Sequence, residues 1–143
     1  MNLLVTGGAG YIGTHTLVEL AKAGHTFTVV DNFYNSKPEA LAHVESIIGK
    51  PVKFVEGDLL DRAFLASVFD GDKFDGVIHF AAMKAVGESV AKPVEYYNNN
   101  LTGTLNLLAE MKRCGVENLV YSSSATVYGE PETANKNLLI PTL

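Results

Sequence analysis

Residues 5–13, Val-Thr-Gly-Gly-Ala-Gly-Tyr-Ile-Gly, constrain the fold of this chain more than any other stretch. Leu3, Leu4 and Val5 form a short apolar run that suits a strand buried on both faces. Thr6 opens a turn carrying Gly7, Gly8, Gly10 and Gly13, and a helical pattern follows with Leu17, Leu20 and Ala21 on one face. Gly24 is its expected stop. Strand, glycine turn and helix in that order are the context in which such a motif has meaning. Glycines bring the backbone close to a ligand, and the free N–H groups at the helix start attract a pyrophosphate. Gly13, inside the helix, lets it lie close on the sheet.

A second signal follows at the expected distance, about 20 residues on. Phe27-Thr28-Val29-Val30 reads as a strand that ends in Asp31. A carboxylate there accepts both hydroxyls of an adenosine ribose and repels a 2′-phosphate, which favours NAD over NADP. A glycine turn without a ligand, beside a solvated aspartate, is the competing reading.

The loop Asn32-Phe33-Tyr34-Asn35-Ser36-Lys37-Pro38 is marked by polar turn formers and proline. It starts at a strand end, on the edge where α/β sheets bind ligands. Its amides and the Asn35 and Ser36 side chains either close over the adenosine or make an ordinary connection. Leu41, Val44, Ile47 and Ile48 form a helical stripe ending at Gly49, and residues 51–55 are a third strand, closing with Glu56-Gly57-Asp58. Asp61 is a good N-cap for the helix holding Phe64, Leu65 and Val68, which leaves Asp58 for the adenine amino group.

Residues 75–80 form a fourth strand running into Ala81-Ala82-Met83-Lys84. Small residues there let a flat cofactor pass close to the backbone. Lys84 is a cation on the ligand edge or a surface lysine, and His79 reads as a packed core histidine. Pro93 suits the first turn of a long helix to Cys114, with Tyr96, Tyr97, Asn100, Leu101, Thr104, Leu105, Leu108 and Met111 at helical spacing. Its apolar width suggests packing on more than the sheet, with a homodimer through 93–114 as one outcome. Asn98-Asn99-Asn100 is unusual in a helix, so one of these side chains should have a polar partner. Leu119-Val120-Tyr121 is the fifth strand, delivering Ser122 to Gly129. Five strands and four helices in alternation predict an α/β doubly wound parallel sheet in the order 3-2-1-4-5. Its crevice gathers the Gly7–Gly13 turn, Phe80–Lys84 and the Ser124 loop. The domain is expected over 1–129, with a divergent tail over 130–143.

Composition narrows the function classes. The chain has 143 residues, 47% hydrophobic and 19% charged, which suits a globular domain with a real core. A net charge of −5 argues against a nonspecific grip on nucleic acid or anionic membrane. No apolar run reaches the roughly 18 residues of a membrane span, and the N-terminus does not read as a signal peptide. The single cysteine, Cys114, fits a reducing cytoplasm and is expected to be a half-buried residue at a helix end, without chemistry.

Together these motifs resemble the extended short-chain dehydrogenases/reductases that act on nucleotide sugars, with a Rossmann-type NAD-binding domain. Within them the chain is similar to the N-terminal part of the 4-epimerase branch. The carriers are residues 5–13, Asp31-Asn32 with Asn35-Ser36, Val-Glu-Gly-Asp at 55–58 and His-Phe-Ala-Ala at 79–82. Lys-Ala-Val-Gly-Glu-Ser-Val at 84–90, Tyr-Tyr-Asn-Asn-Asn at 96–100 and Ser-Ser-Ser-Ala-Thr-Val-Tyr-Gly at 122–129 complete the match. The resemblance implies interconversion of UDP-glucose and UDP-galactose by C4 oxidation, rotation of the 4-keto sugar and re-reduction. It implies NAD contacts from Gly7, Gly10, Tyr11, Ile12, Gly13, Asp31, Asn32, Phe33, Asn35, Ser36, Asp58, Leu59, Phe80, Ala81, Ala82, Lys84 and Asn99. It implies that Ser124 hydrogen-bonds the reacting 4-hydroxyl, a role that fits a hydroxyl beside developing negative charge. Nucleotide-sugar dehydratases are a sister branch, but they carry an Asp-Glu pair where this chain has Ala125-Thr126, and elimination needs an acid and a base there.

One family feature is missing. The general base of the family is a tyrosine in a Tyr-x-x-x-Lys motif, and no tyrosine of this chain has a lysine at that offset. The stretch Asn135 to Ile140 also departs from the family pattern. The expectation is a chain that stops before the substrate domain and, by itself, either has little activity or serves as an NAD-binding module.

Overall fold

The computed structural model describes residues 1–123. Ser124, Ala125, Thr126 and the expected boundary at Gly129 lie outside the described residues. Five strands, β1 (Asn2–Thr6), β2 (Thr26–Asp31), β3 (Lys53–Glu56), β4 (Gly76–His79) and β5 (Leu119–Tyr121), form one sheet in the order β3-β2-β1-β4-β5. Every pairing is parallel. This is the predicted order, and it places β1 between β2 and β4.

Side-chain alternation divides the sheet into two faces. Leu3 and Val5 of β1 and Phe27 and Val29 of β2 join Leu17 of α1 (Tyr11–Lys22) and Leu41 and Val44 of α2 (Pro38–Ile48) in one core. Leu4, Val30 and Val77 join Leu65 and Val68 of α3 (Arg62–Asp70) and Leu107 and Met111 of the last helix in the other. Each face excludes water from one half of the strand residues, which is why these strands read as continuous apolar runs. Asp61 caps α3 as expected, its Oδ1 accepting from Phe64 N at 3.0 Å. Gly49 and Gly115 end their helices in left-handed conformation, with φ of 70° and 69°. Such caps satisfy terminal carbonyls at little steric cost only with glycine.

Four expectations are corrected. A short helix, α4 (Val86–Ala91), follows β4; its six residues are too few for a helical period to stand out. The long helix is interrupted: α5 (Pro93–Tyr97) passes through a π turn over Asn98–Thr102 into α6 (Gly103–Cys114). Ile47 is 66% exposed, because Leu41, Val44 and Ile48 set the inward face of α2 and the helical turn carries position 47 off it. Cys114 is exposed, on the last turn of α6. Across α5, the π turn and α6, Val94, Tyr97, Leu101, Leu105 and Leu108 form an exposed apolar stripe. No described helix is long and apolar enough to cross a membrane.

Candidate functional site

The glycine turn stands at the carboxyl end of β1. Gly7 has φ +69°, and a Cβ on it would come within 2.5 Å of Ala81 N, so the turn and the segment after β4 touch backbone to backbone. Only glycine fits both the angle and the space. A Cβ on Gly13 would lie 2.6 Å from Gly7 O and from the Cα of Gly8, so this glycine lets α1 lie close on the turn, where the sequence predicts that it lies close on the sheet. Gly10 N–H donates to Gly7 O at 3.2 Å. The next three amides, of Tyr11, Ile12 and Gly13, have no acceptor among the described residues, and Gly10 as N-cap supplies no side-chain oxygen. Three N–H groups at a helix start, with the positive end of its dipole, form an anion-attracting surface. Tyr11 is 81% exposed there.

Asp31 closes the other side. Its Oδ2 accepts from Ala9 N at 3.0 Å, and its Oδ1 accepts from Phe33 N at 2.9 Å and Ser36 Oγ at 2.8 Å. An ionised carboxylate offers about four lone-pair sites. Asp31 therefore organises the turn and the loop after β2, and keeps one accepting direction on Oδ2 for a further donor.

Asp58 is less free than the sequence suggested. Its Oδ2 accepts from Asn32 Nδ2 at 2.9 Å and its Oδ1 from Leu60 N at 2.8 Å. Capping by Asp61 does release Asp58 from α3, but Asn32, far away in sequence, engages it. Leu59 is buried, and its carbonyl accepts from Asn106 Nδ2 of α6 at 3.0 Å. Asn32, Asn35, Ala82 and Lys84 are exposed, whereas Phe33, Ser36, Phe80 and Ala81 are partly buried. All follow the carboxyl end of β2 or β4, on the same edge of the sheet as the glycine turn.

Two residues that sequence reasoning left out of the site anchor it. Asn100, in the π turn, accepts from Met83 N and donates to Met83 O, both at 2.8 Å, pinning the backbone between Ala82 and Lys84. Asn99 Nδ2 donates to Asn100 Oδ1 at 2.9 Å. The asparagine run signalled a polar partner; which of the three had it depended on the π turn, a distortion frequent at functional sites. His79, 3% exposed, is held at both ring nitrogens by Thr6 Oγ1 (2.6 Å) and Thr104 Oγ1 (2.9 Å). Thr104 Oγ1 donates to Asn100 O at 2.6 Å, so it accepts from His79. The proton of the imidazole is therefore on Nε2, and Nδ1 accepts from Thr6. Burial pulls the His79 pKa down from 6.5 to about 4, so the ring is neutral. It is a core anchor of β4, as expected.

Beside the crevice, Glu88 of α4 accepts from Tyr96 Oη at 2.8 Å, Lys92 Nζ at 3.0 Å and Tyr34 Oη at 3.1 Å. The Tyr96 hydrogen bond, then those from Lys92 and Tyr34, hold its carboxyl below the ordinary range. No group of three or more metal-ligating side chains occurs among the described residues. Ser122 N donates to His79 O at 3.1 Å, which brings the start of the serine run to the end of β4.

A parallel sheet ordered 3-2-1-4-5, with a glycine turn and exposed helix amides at its switch point and an acidic residue ending β2, defines a doubly wound protein of the dinucleotide-binding class. The family described as "NAD dependent epimerase/dehydratase family" matches residues 3–142, and the chain belongs to it. It is 59% identical over 132 residues to UDP-glucose 4-epimerase of Haemophilus influenzae, covering 92% of this chain and 39% of that protein. It is 55% identical over 136 residues to UDP-glucose 4-epimerase of Mus musculus, covering 91% of this chain and 39% of the relative. The crystal structure of UDP-glucose 4-epimerase from Bifidobacterium longum in complex with NAD+ and UDP matches with a TM-score of 0.90 and 55% identity, over 94% of this chain and 40% of that one. The chain thus spans about two fifths of the length of these relatives.

Proposed function

We propose that this chain is the NAD-holding portion of a UDP-glucose 4-epimerase, which interconverts UDP-glucose and UDP-galactose. The observation that carries the cofactor reading is that three amides, Tyr11 to Gly13, have no acceptor among the described residues and face an accepting direction of Asp31 Oδ2 with no donor among them, across the same turn. A pyrophosphate fits the first and a ribose hydroxyl the second. A Cβ on Gly7 would strike the Ala81 backbone at 2.5 Å, so this glycine lets the turn lie directly against the segment after β4. Held there, NAD would supply reversible hydride acceptance at C4 of the sugar.

The chain's own residues then have distinct tasks. Gly7, Gly10, Tyr11, Ile12 and Gly13 hold the pyrophosphate. Asp31, Asn32, Phe33, Asn35 and Ser36 hold the adenosine ribose and its surroundings, and Asp58 and Leu59 border the adenine. Phe80, Ala81, Ala82, Lys84 and Asn99 line the nicotinamide side, with Asn100 fixing the Ala82–Lys84 backbone. Ser124 donates to the 4-oxygen of the sugar as charge develops there. The 143 residues contain no Tyr-x-x-x-Lys motif to supply the base. Tested alone, they bind NAD but turn over about 100- to 10,000-fold more slowly than a full-length relative, the usual worth of a general base. The apolar stripe of α5 and α6 is the proposed homodimer face, and the cytoplasm the proposed location.

Calorimetric titration of the purified chain tests the reading. NAD should bind more tightly than NADP, because Asp31 repels a 2′-phosphate, and Asp31→Ala should weaken NAD binding about tenfold or more. Equal affinity for the two dinucleotides, unchanged by the substitution, would refute the ribose assignment.

A further inference from the structure

Tyr34 lies in the loop after β2, and Glu88 lies in α4, after β4. β2 and β4 flank β1 on opposite sides. Contact between their following segments therefore crosses over the carboxyl end of β1, where the glycine turn stands. Tyr34 Oη donates to Glu88 Oε1 at 3.1 Å and makes that crossing.

Both ends of the contact are braced. Glu88 is oriented by the buried Tyr96, whose hydroxyl donates to Oε2 at 2.8 Å, and by Lys92 at 3.0 Å. On the opposite side, Phe33 adopts φ +54°, an uncommon conformation for a bulky side chain, held by surrounding contacts. Its amide donates to Asp31 Oδ1, and its ring packs on Phe54 with centroids 4.9 Å apart. Tyr34 N donates to Asn32 Oδ1 at 3.0 Å. Tyr34 is 54% exposed, and its hydroxyl makes no other hydrogen bond among the described residues. One hydrogen bond thus joins two well-anchored lips of the crevice.

We propose that Tyr34 and Glu88 form a latch across the crevice mouth, which opens to admit a dinucleotide and, when closed, retards its release. The proposal rests on the reading of the crevice as an NAD site. It adds a gate that acts on rates: a gate without ligand contact changes entry and exit alike and leaves affinity unchanged, whereas a ligand contact changes release and affinity together. Loss of one ordinary hydrogen bond opens such a latch about three- to tenfold more often.

Stopped-flow fluorescence of NADH with the whole chain reads both rates. Tyr34→Phe keeps the ring and removes the hydroxyl; association and dissociation should each rise about three- to tenfold with Kd unchanged. Glu88→Ala added to Tyr34→Phe should speed neither rate further, since the latch is already open. Unchanged rates in Tyr34→Phe would overturn the proposal, and so would a raised Kd at an unchanged association rate. Hydrogen exchange without cofactor separates the two readings. The latch requires Tyr34→Phe to speed exchange over 32–37 and 86–91 together. Coupled exchange in a protein that takes up no NADH would reduce the contact to a structural clasp and overturn the NAD reading and the latch with it. NADH binding with uncoupled exchange would overturn the latch alone.

Discussion

His79 makes the stability of this protein depend on pH in a way that can be worked from the structure. The imidazole is 3% exposed and pairs only with two uncharged hydroxyls, so no carboxylate offsets the cost of burying its charged form. Burial lowers its pKa from 6.5 to about 4. In the unfolded chain the ring takes up a proton near pH 6.5; in the folded protein it resists until about pH 4. The unfolded state therefore binds more protons in that window, and stability falls as pH falls. The contribution is intact above 6.5 and is lost progressively down to about 4. At 1.36 kcal/mol per pH unit, the full loss is about 3 kcal/mol, of which about 2 kcal/mol falls between about pH 7 and pH 5. That is a large share of the stability of an ordinary domain. Urea unfolding at a series of pH values measures it for the wild type and for His79→Gln, which cannot titrate. The variant starts less stable at neutral pH, by about 1–3 kcal/mol for its disturbed hydrogen bonds. Its further loss on acidification should be smaller than that of the wild type by about 2 kcal/mol. Parallel losses in the two proteins would refute the buried neutral imidazole. Nitrogen chemical shifts of the ring provide a second check, since the hydroxyl of Thr104 is committed to Asn100 O and the proton must sit on Nε2.

Two further substitutions test the walls of the crevice. Gly13→Ala places a methyl group 2.6 Å from Gly7 O and Gly8 Cα, so α1 must lift from the turn; stability should drop by about 1–3 kcal/mol in thermal melting, and NAD affinity should fall with it. Asn100→Ala removes both bonds to Met83 and leaves that backbone unpaired; chemical denaturation should register a loss of about 1–3 kcal/mol, with faster hydrogen exchange at Met83. A wild-type exchange rate there would show that Met83 does not depend on Asn100.

Much of the architecture is legible in the chain itself. Apolar runs separated by helical patterns call for parallel strands, and right-handed crossovers leave few orders in which to lay them. The positions of the glycine turn and of Asp31 are legible because the constraint is local: a tight turn needs glycine, and a strand end two elements later has a known place in the sheet. Asp61 as a cap and His79 as a core residue belong to the same kind of inference.

What the sequence alone determined, then, was the order of the strands, the sheet they build and the edge where the glycine turn lies, because these follow from spacings of a few residues. Tertiary structure decided the partners. Asn32 takes up Asp58, Asn100 pins Met83 from within a π turn, and Tyr34 reaches Glu88 across 54 positions of sequence. Side-chain hydrogen bonds form only between groups within about 3 Å. Such distances between remote residues exist only once the sheet has brought its strand ends side by side.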